Sequence, residues 1–136
     1  MQLNDTLQIA ASGMQAQGER LRVVAENIAN ADSTGKTAND DPYRRKIVVF
    51  QNVLDKEMGI ETVKVVKHSY DTSNFNKKYD PTHPAADAQG YIRTPNVNPI
   101  IEMTDMREAR RGYEANLDVI QVSKAMLTQT IDLLKP

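Results

Sequence analysis

The two ends of this chain carry the strongest constraint on its fold, a repeat of apolar residues every seven positions. Leu7, Met14, Leu21 and Ile28 form one row, and Leu3, Ala10, Gln17 and Val24 form a second beside it. The alternating steps of four and three are those of a coiled-coil seam, and they predict a helix from about residue 3 to 30. Gly13 and Gly18 each weaken that helix by roughly 1 kcal/mol relative to Ala, unless they let a neighbouring backbone approach closely. The final segment repeats the pattern. Met106, Tyr113, Ile120, Leu127 and Leu134 lie seven apart, while Leu117 and Ile131 occupy a second row interrupted by Lys124. Val119, Val122, Met126 and Leu133 add a flanking strip, so the apolar stripe is wider than one partner helix needs. Asn98 reads as an N-cap and Pro99 as the first residue of this second helix.

Between the helices the period changes. Residues 43–51, YRRKIVVFQ, and 61–69, ETVKVVKHS, are short, β-branched and charged, and read as strands, with Gly59 marking a turn before the second. ADSTGKTANDDP, residues 31–42, is a polar loop, and the Pro-rich stretch 79–99 is irregular chain with a short strand at Tyr91 to Arg93. The expected fold class is α+β: long N- and C-terminal helices packed as a coiled-coil-like pair with a small β-rich middle region. The expected division is 1–31, 32–98 and 99–136. A plain core, with both helices packed on the β region, is one reading of the stripes. Their breadth favours assembly, with the leftover surface covered by other subunits, a partner or a membrane.

Composition narrows the function. Seventeen basic and 18 acidic side chains leave a net charge of −1, and there are no cysteines. Such a balance gives no global pull toward nucleic acid, and no thiolate metal site or disulfide is available. The N-terminal segment lacks a basic leader and an unbroken apolar run, so no secretory signal is expected. No stretch approaches the roughly 20 apolar residues of a membrane span.

Chemical motifs are sparse. Gly35–Lys36–Thr37 resembles the end of a phosphate loop, but the motif's earlier glycine would fall at Asn30 and a helix precedes it where a strand is required. His68 and His83 are the only histidines, and no third ligand stands at metal spacing. Neither a carboxylate pair nor a nucleophile elbow is recognisable. Arg44, Arg45 and Lys46 form one basic run and read as a salt-bridging surface. Arg107, Arg110 and Arg111 lie near a helix start, where cations gain nothing from the dipole, and that favours an acidic partner across an interface.

LRVVAENIANADSTG (residues 21–35), PYRRKIVVFQ (42–51) and YDPTHPAADAQGYIRTPNVNPIIEMTDMREARRGYEANLDVIQ (79–121) together resemble the flagellar basal-body rod protein family over almost the full chain. The helix ending in Asn-Ile-Ala-Asn before a polar Thr/Gly loop is the family's signature. The resemblance implies a structural subunit of the bacterial flagellum, in the proximal rod beside the membrane-embedded ring. Its terminal helices would bundle into the hollow drive shaft that transmits torque, and its β-rich middle would face outward. It implies export through the flagellar type III apparatus. The implied partners are other rod proteins, the rod–ring adaptor, the membrane-ring protein and copies of itself. No enzyme activity, cofactor, metal, nucleic acid or small-molecule substrate is implied. The expected assembly interface comprises Leu7, Met14, Leu21, Asn27, Ile28, Asn30, Tyr113, Leu117, Ile120, Leu127, Ile131 and Leu134. Asn27 is placed there by heptad counting, and the amides of Asn27 and Asn30 would cap the last helical carbonyls or bridge to a neighbour. The polar loop is expected to order only on assembly. The alternative function is a soluble helical adaptor binding one partner through the same helices. A small hydrolase or metal enzyme built on the histidine and aspartate residues is a third, weaker reading.

Overall fold

A computed structural model describes residues 3–57 and 59–135. Residues 1, 2 and 136, the outermost of the expected terminal segments, lie outside the described residues. The element order is α1 (Leu3–Ala29), β1 (Lys46–Asp55), β2 (Ile60–Tyr70), β3 (Asn76–Tyr79), β4 (Tyr91–Thr94) and α2 (Pro99–Leu133). The fold is α+β. The helices form an antiparallel hairpin, with Gly13 opposite Asn116, Gln17 opposite Gly112 and Asn27 opposite Glu102. The chain enters α2 as the sequence predicts. Asn98 sits in extended geometry, its side chain accepts from the Ile100 amide at 3.0 Å, and Pro99 opens the helix.

The close seam between the helices differs in kind from the large apolar rows. On α1 the buried positions are Ala10, Ala16, Val23, Val24 and Asn27, and on α2 they are Glu102, Ala109 and Ser123. A Cβ added at Gly13 would meet the Asn116 side chain at 2.8 Å, and one at Gly112 would meet Gln17 at 3.1 Å. Small residues thus let the helices approach closely, and the large side chains are displaced to the flanks of the contact. Leu7, Met14, Leu21 and Ile28, expected to be the stronger row, are all half-buried. Gly13 has the close-packing role foreseen for it, although against a side chain. Gly18 has nothing within 4 Å.

β1 and β2 form an antiparallel hairpin turned through Gly59 at φ +67°, a left-handed conformation that suits glycine. A bulge between Val49 and Phe50 shifts the register and leaves Val66 without a partner. This hairpin lies along α1, and among the described elements α2 packs only on α1. β3 and β4 form a separate two-stranded ribbon. β3, sequence Asn-Lys-Lys-Tyr, has no β-branched residue and went unread as a strand.

Candidate assembly surface and the polar joint at its base

α2 is 35 residues long and α1 is 27. In the antiparallel register, Leu3 falls opposite the turn around Met126, so the last two turns of α2 run past the first described residue of α1. The apolar side chains there are left exposed. Leu127, Ile131 and Leu134 are exposed, Ile131 by 55% and Leu134 by 79%, and Val119, Val122, Met126 and Leu133 are exposed with them. Toward the middle of α2, Tyr113, Leu117 and Ile120 are half-buried. Contiguous apolar exposure on this scale marks a contact surface.

A second exposed apolar group was missed by sequence reasoning. Ile100, Ile101 and Met103 at the start of α2 are exposed, Ile100 by 75%. They stand outside the seven-residue rows, and the only signal was an Ile-Ile pair directly after the cap. Nearby, Arg107 and Arg111 are exposed and without an ionic partner among the described residues, while Arg110 pairs with Glu114 at 3.3 Å.

Asn27 is a correction. It does not present itself to a neighbour, because it is 1% exposed inside the chain. Its amide grips the backbone of Lys46 as a paired strand would. Nδ2 donates to the Lys46 carbonyl at 2.8 Å and Oδ1 accepts the Lys46 amide at 2.9 Å. Oδ1 also accepts from the Tyr43 hydroxyl at 2.8 Å, and Nδ2 also donates to Glu102 Oε2 at 3.1 Å. Every hydrogen-bonding site of the amide is thereby satisfied. Asn30 has the capping role foreseen for it, its Nδ2 donating to the Glu26 carbonyl at 2.8 Å.

Glu102 completes this joint. It is 0% exposed, and its Oε1 accepts from Arg45 Nε. Arg45 also approaches Asp105 at 3.4 Å and Asp71 at 3.6 Å, and Arg20 reaches Asp105 at 3.4 Å. Desolvation opposes the Arg45 charge, but the hydrogen bond to Glu102 and the surrounding carboxylates outweigh it and hold the guanidinium above its usual range. Lys46 Nζ pairs with Glu26 at 2.8 Å, and Arg44 donates to the carbonyls of Asp71 and Ser73 while stacking 4.2 Å over Phe75. The Arg44–Lys46 run is therefore occupied within the chain.

The remaining chemical motifs have structural partners. In the Gly35–Thr37 loop the Thr37 amide donates to the Asp40 carboxylate at 3.1 Å, where a phosphate would need to sit. Ser33, Asp40 and Asp41 tie the 31–42 loop to Tyr43 and Arg93, so it is held within this chain rather than awaiting assembly. His83 Nδ1 accepts from the Ala85 amide at 3.0 Å, and His68 lies 3.3 Å from Glu19. Among the described residues, no three His, Asp or Glu side chains gather as metal ligands. No described helix is long and apolar enough to cross a membrane.

An antiparallel pair of terminal helices with exposed apolar flanks is a surface suited to contact with other chains. Comparison with known proteins places the chain. Residues 7–35 match the family described as flagella basal body rod protein, and residues 88–133 match the C-terminal family of the flagellar basal body rod FlgEFG proteins. The chain is 53% identical to the flagellar basal-body rod protein FlgC of Agrobacterium fabrum, covering 98% of this chain and 96% of the relative. It is 42% identical to FlgC of Salmonella typhimurium over 98% of each chain. With FlgC of Bacillus subtilis it shares 39% identity over 96% of this chain and 97% of the relative. The chain belongs to the FlgC family of flagellar basal-body rod proteins, and it is a structural subunit of that rod. Rod proteins assemble with other components of the flagellar basal body.

Proposed function

We propose that this subunit helps form the wall of the proximal rod by packing α1 and α2 against the terminal helices of its neighbours. The uncovered carboxyl-terminal stretch of α2 is the observation that carries this reading. Each large apolar side chain buried on assembly contributes roughly 1.5–3 kcal/mol, a gain that this chain alone leaves unrealised along α2. The interface we assign consists of Leu7, Met14, Leu21 and Ile28 on α1 and Asn30 just after it, with Tyr113, Leu117, Ile120, Leu127 and Ile131 on α2 and Leu134 at its C-cap. The neighbours are other rod proteins, copies of this chain, the rod–ring adaptor and the membrane-ring protein. The subunit reaches the periplasmic rod through the type III export apparatus. Its role is to transmit torque, without catalysis.

The native chain has no cysteine, so a single introduced thiol reports on one contact. With Ile131→Cys, a short thiol–amine crosslinker applied to purified basal bodies should join the chain to neighbouring rod subunits. Lys67→Cys on the β hairpin should give fewer such adducts. Absence of the chain from the basal bodies would support the adaptor reading, and equal adducts from both positions would contradict the assigned interface.

A further inference from the structure

The β1–β2 hairpin and the helix pair meet through two very different kinds of contact. Along most of its length the hairpin rests on α1 through half-buried residues, and Thr62 is its only buried residue among those described. Two clefts interrupt that contact. One of about 370 Å³ lies among Ser12, Ala16, Glu19, Val63, Val65 and His68. The other, of about 320 Å³, lies among Val23, Val24, Val48 and Phe50 and ends on Asn27, Arg45 and Glu102 at the base of β1. At the base of β1 the contact is polar and hydrogen-bonded instead, and Asn27 and Glu102 are buried there. α2 packs on no described strand, so the side-chain bonds from Glu102 and Asp105 are its connection to the approach of β1.

We propose that Asn27, Arg45 and Glu102 form the joint that fixes the angle of the β1–β2 hairpin to the helix pair, with Glu102 as its positioning residue. Glu102 is poised between two donors. Oε2 accepts from Asn27 and Oε1 accepts from Arg45. A carboxylate meets both with acceptors, whereas an amide of the same shape must turn its NH₂ toward one of them. The identity of the group therefore matters beyond its volume. From this joint β1 and β2 run about ten residues to the turn, a lever of roughly 30 Å. A small rotation at the joint becomes a large displacement at the tip. The inference rests on contacts within one chain and stands whether or not the α2 surface is the one used in the rod.

The test measures that angle. In the full chain, spin labels on Glu57→Cys near the hairpin turn and Gln121→Cys on α2 report one distance by pulsed electron resonance. The parent chain should give a narrow distribution. Glu102→Gln should broaden it while helical circular dichroism stays unchanged. Arg45→Lys, which keeps the charge but loses the planar fork, should broaden it as well. Leu127→Ala, remote from the joint, should leave it narrow. A narrow distribution in both joint variants would overturn the proposal. So would loss of helical signal in step with broadening in both, which would make these residues part of one cooperative core rather than a joint.

Discussion

The two ends of α2 solve opposite problems. At its start a charged residue is sealed from water, and Glu102 there is held by Arg45 and Asn27. At its finish apolar residues face water, and Leu127, Ile131, Leu133 and Leu134 are exposed. Hydrophobicity alone would reverse both placements. A buried carboxylate is tolerable only when its oxygens are bonded, and its bonds are directional, so it specifies one arrangement of the helices and β1. Exposed apolar surface is non-directional and gains only when something covers it. The first end organises the subunit. The second leaves apolar surface exposed, which on the function proposed above is covered by neighbouring subunits.

Disturbing the two ends should have unequal consequences for the isolated chain. The largest effect is expected from Glu102→Ala. It leaves Arg45 Nε and one Asn27 N–H without their buried acceptor, although Asp105 and Asp71 still face the guanidinium, and breaking such a pair costs about 3–5 kcal/mol. Denaturant unfolding of the purified chain measures this, and a loss below about 1 kcal/mol would show that water replaces the carboxylate readily. A smaller effect is expected from Gly13→Val in the close seam. Its branched side chain would press on Asn116, which is held by its bond to the Gly112 carbonyl at 2.7 Å. Overpacking of this kind costs about 1–3 kcal/mol, and Gly18→Val, where nothing lies within 4 Å, should cost less.

The mildest effect is that of acid. Hydrogen bonds from Arg22 to Glu19, from Lys46 to Glu26, from the Ser73 backbone to Asp71 and from Thr82 to Asp80 lower the pKa of each carboxyl group. A pKa lower in the folded chain means that the stabilisation is fully present above the unfolded value, about 4, and fades as the pH falls through the folded value. The denaturation midpoint should change little between pH 7 and 5 on this account and should drop below about pH 4. A midpoint that rose on acidification below pH 4 would contradict these pairings.

Much of the architecture was legible in the sequence because it rests on local signals. The apolar period marked both helices, Asn98 and Pro99 marked the start of α2, and β-branched runs marked β1 and β2. β4 was marked by Tyr91 to Arg93, whereas the lysines of β3 concealed its pairing with it. The facing of the helices was not legible. Periodicity favours the row of largest apolar residues, but closest approach selects the smallest, so Ala10, Gly13, Ala109 and Gly112 took the seam and Leu7, Met14, Leu21 and Ile28 moved to its edge. Asn27 was misplaced for a related reason. Its partners, Tyr43 and Lys46, arrive from a strand approach whose position no local pattern encodes. Glu102 gave no sign of burial, since an acid in the first turn of a helix ordinarily reads as a favourable surface charge. The candidate interface was partly legible. Leu127, Ile131 and Leu134 lay in the repeat and proved exposed, whereas Ile100, Ile101 and Met103 did not lie in it.

The central claim is that the carboxyl-terminal half of α2 is apolar for the sake of neighbouring subunits and not for its own fold. Leu127→Asp combined with Ile131→Asp tests it most directly, because both side chains are already exposed in the single chain. The measurement is rod completion in basal bodies purified from cells carrying the double variant, alongside the unfolding free energy of the purified chain. The expected result is an unfolding free energy within about 0.5 kcal/mol of the parent, as for surface substitutions, with secreted subunit and no completed rod. Complete rods containing the double variant would contradict the claim, as would a purified chain that unfolds on substitution.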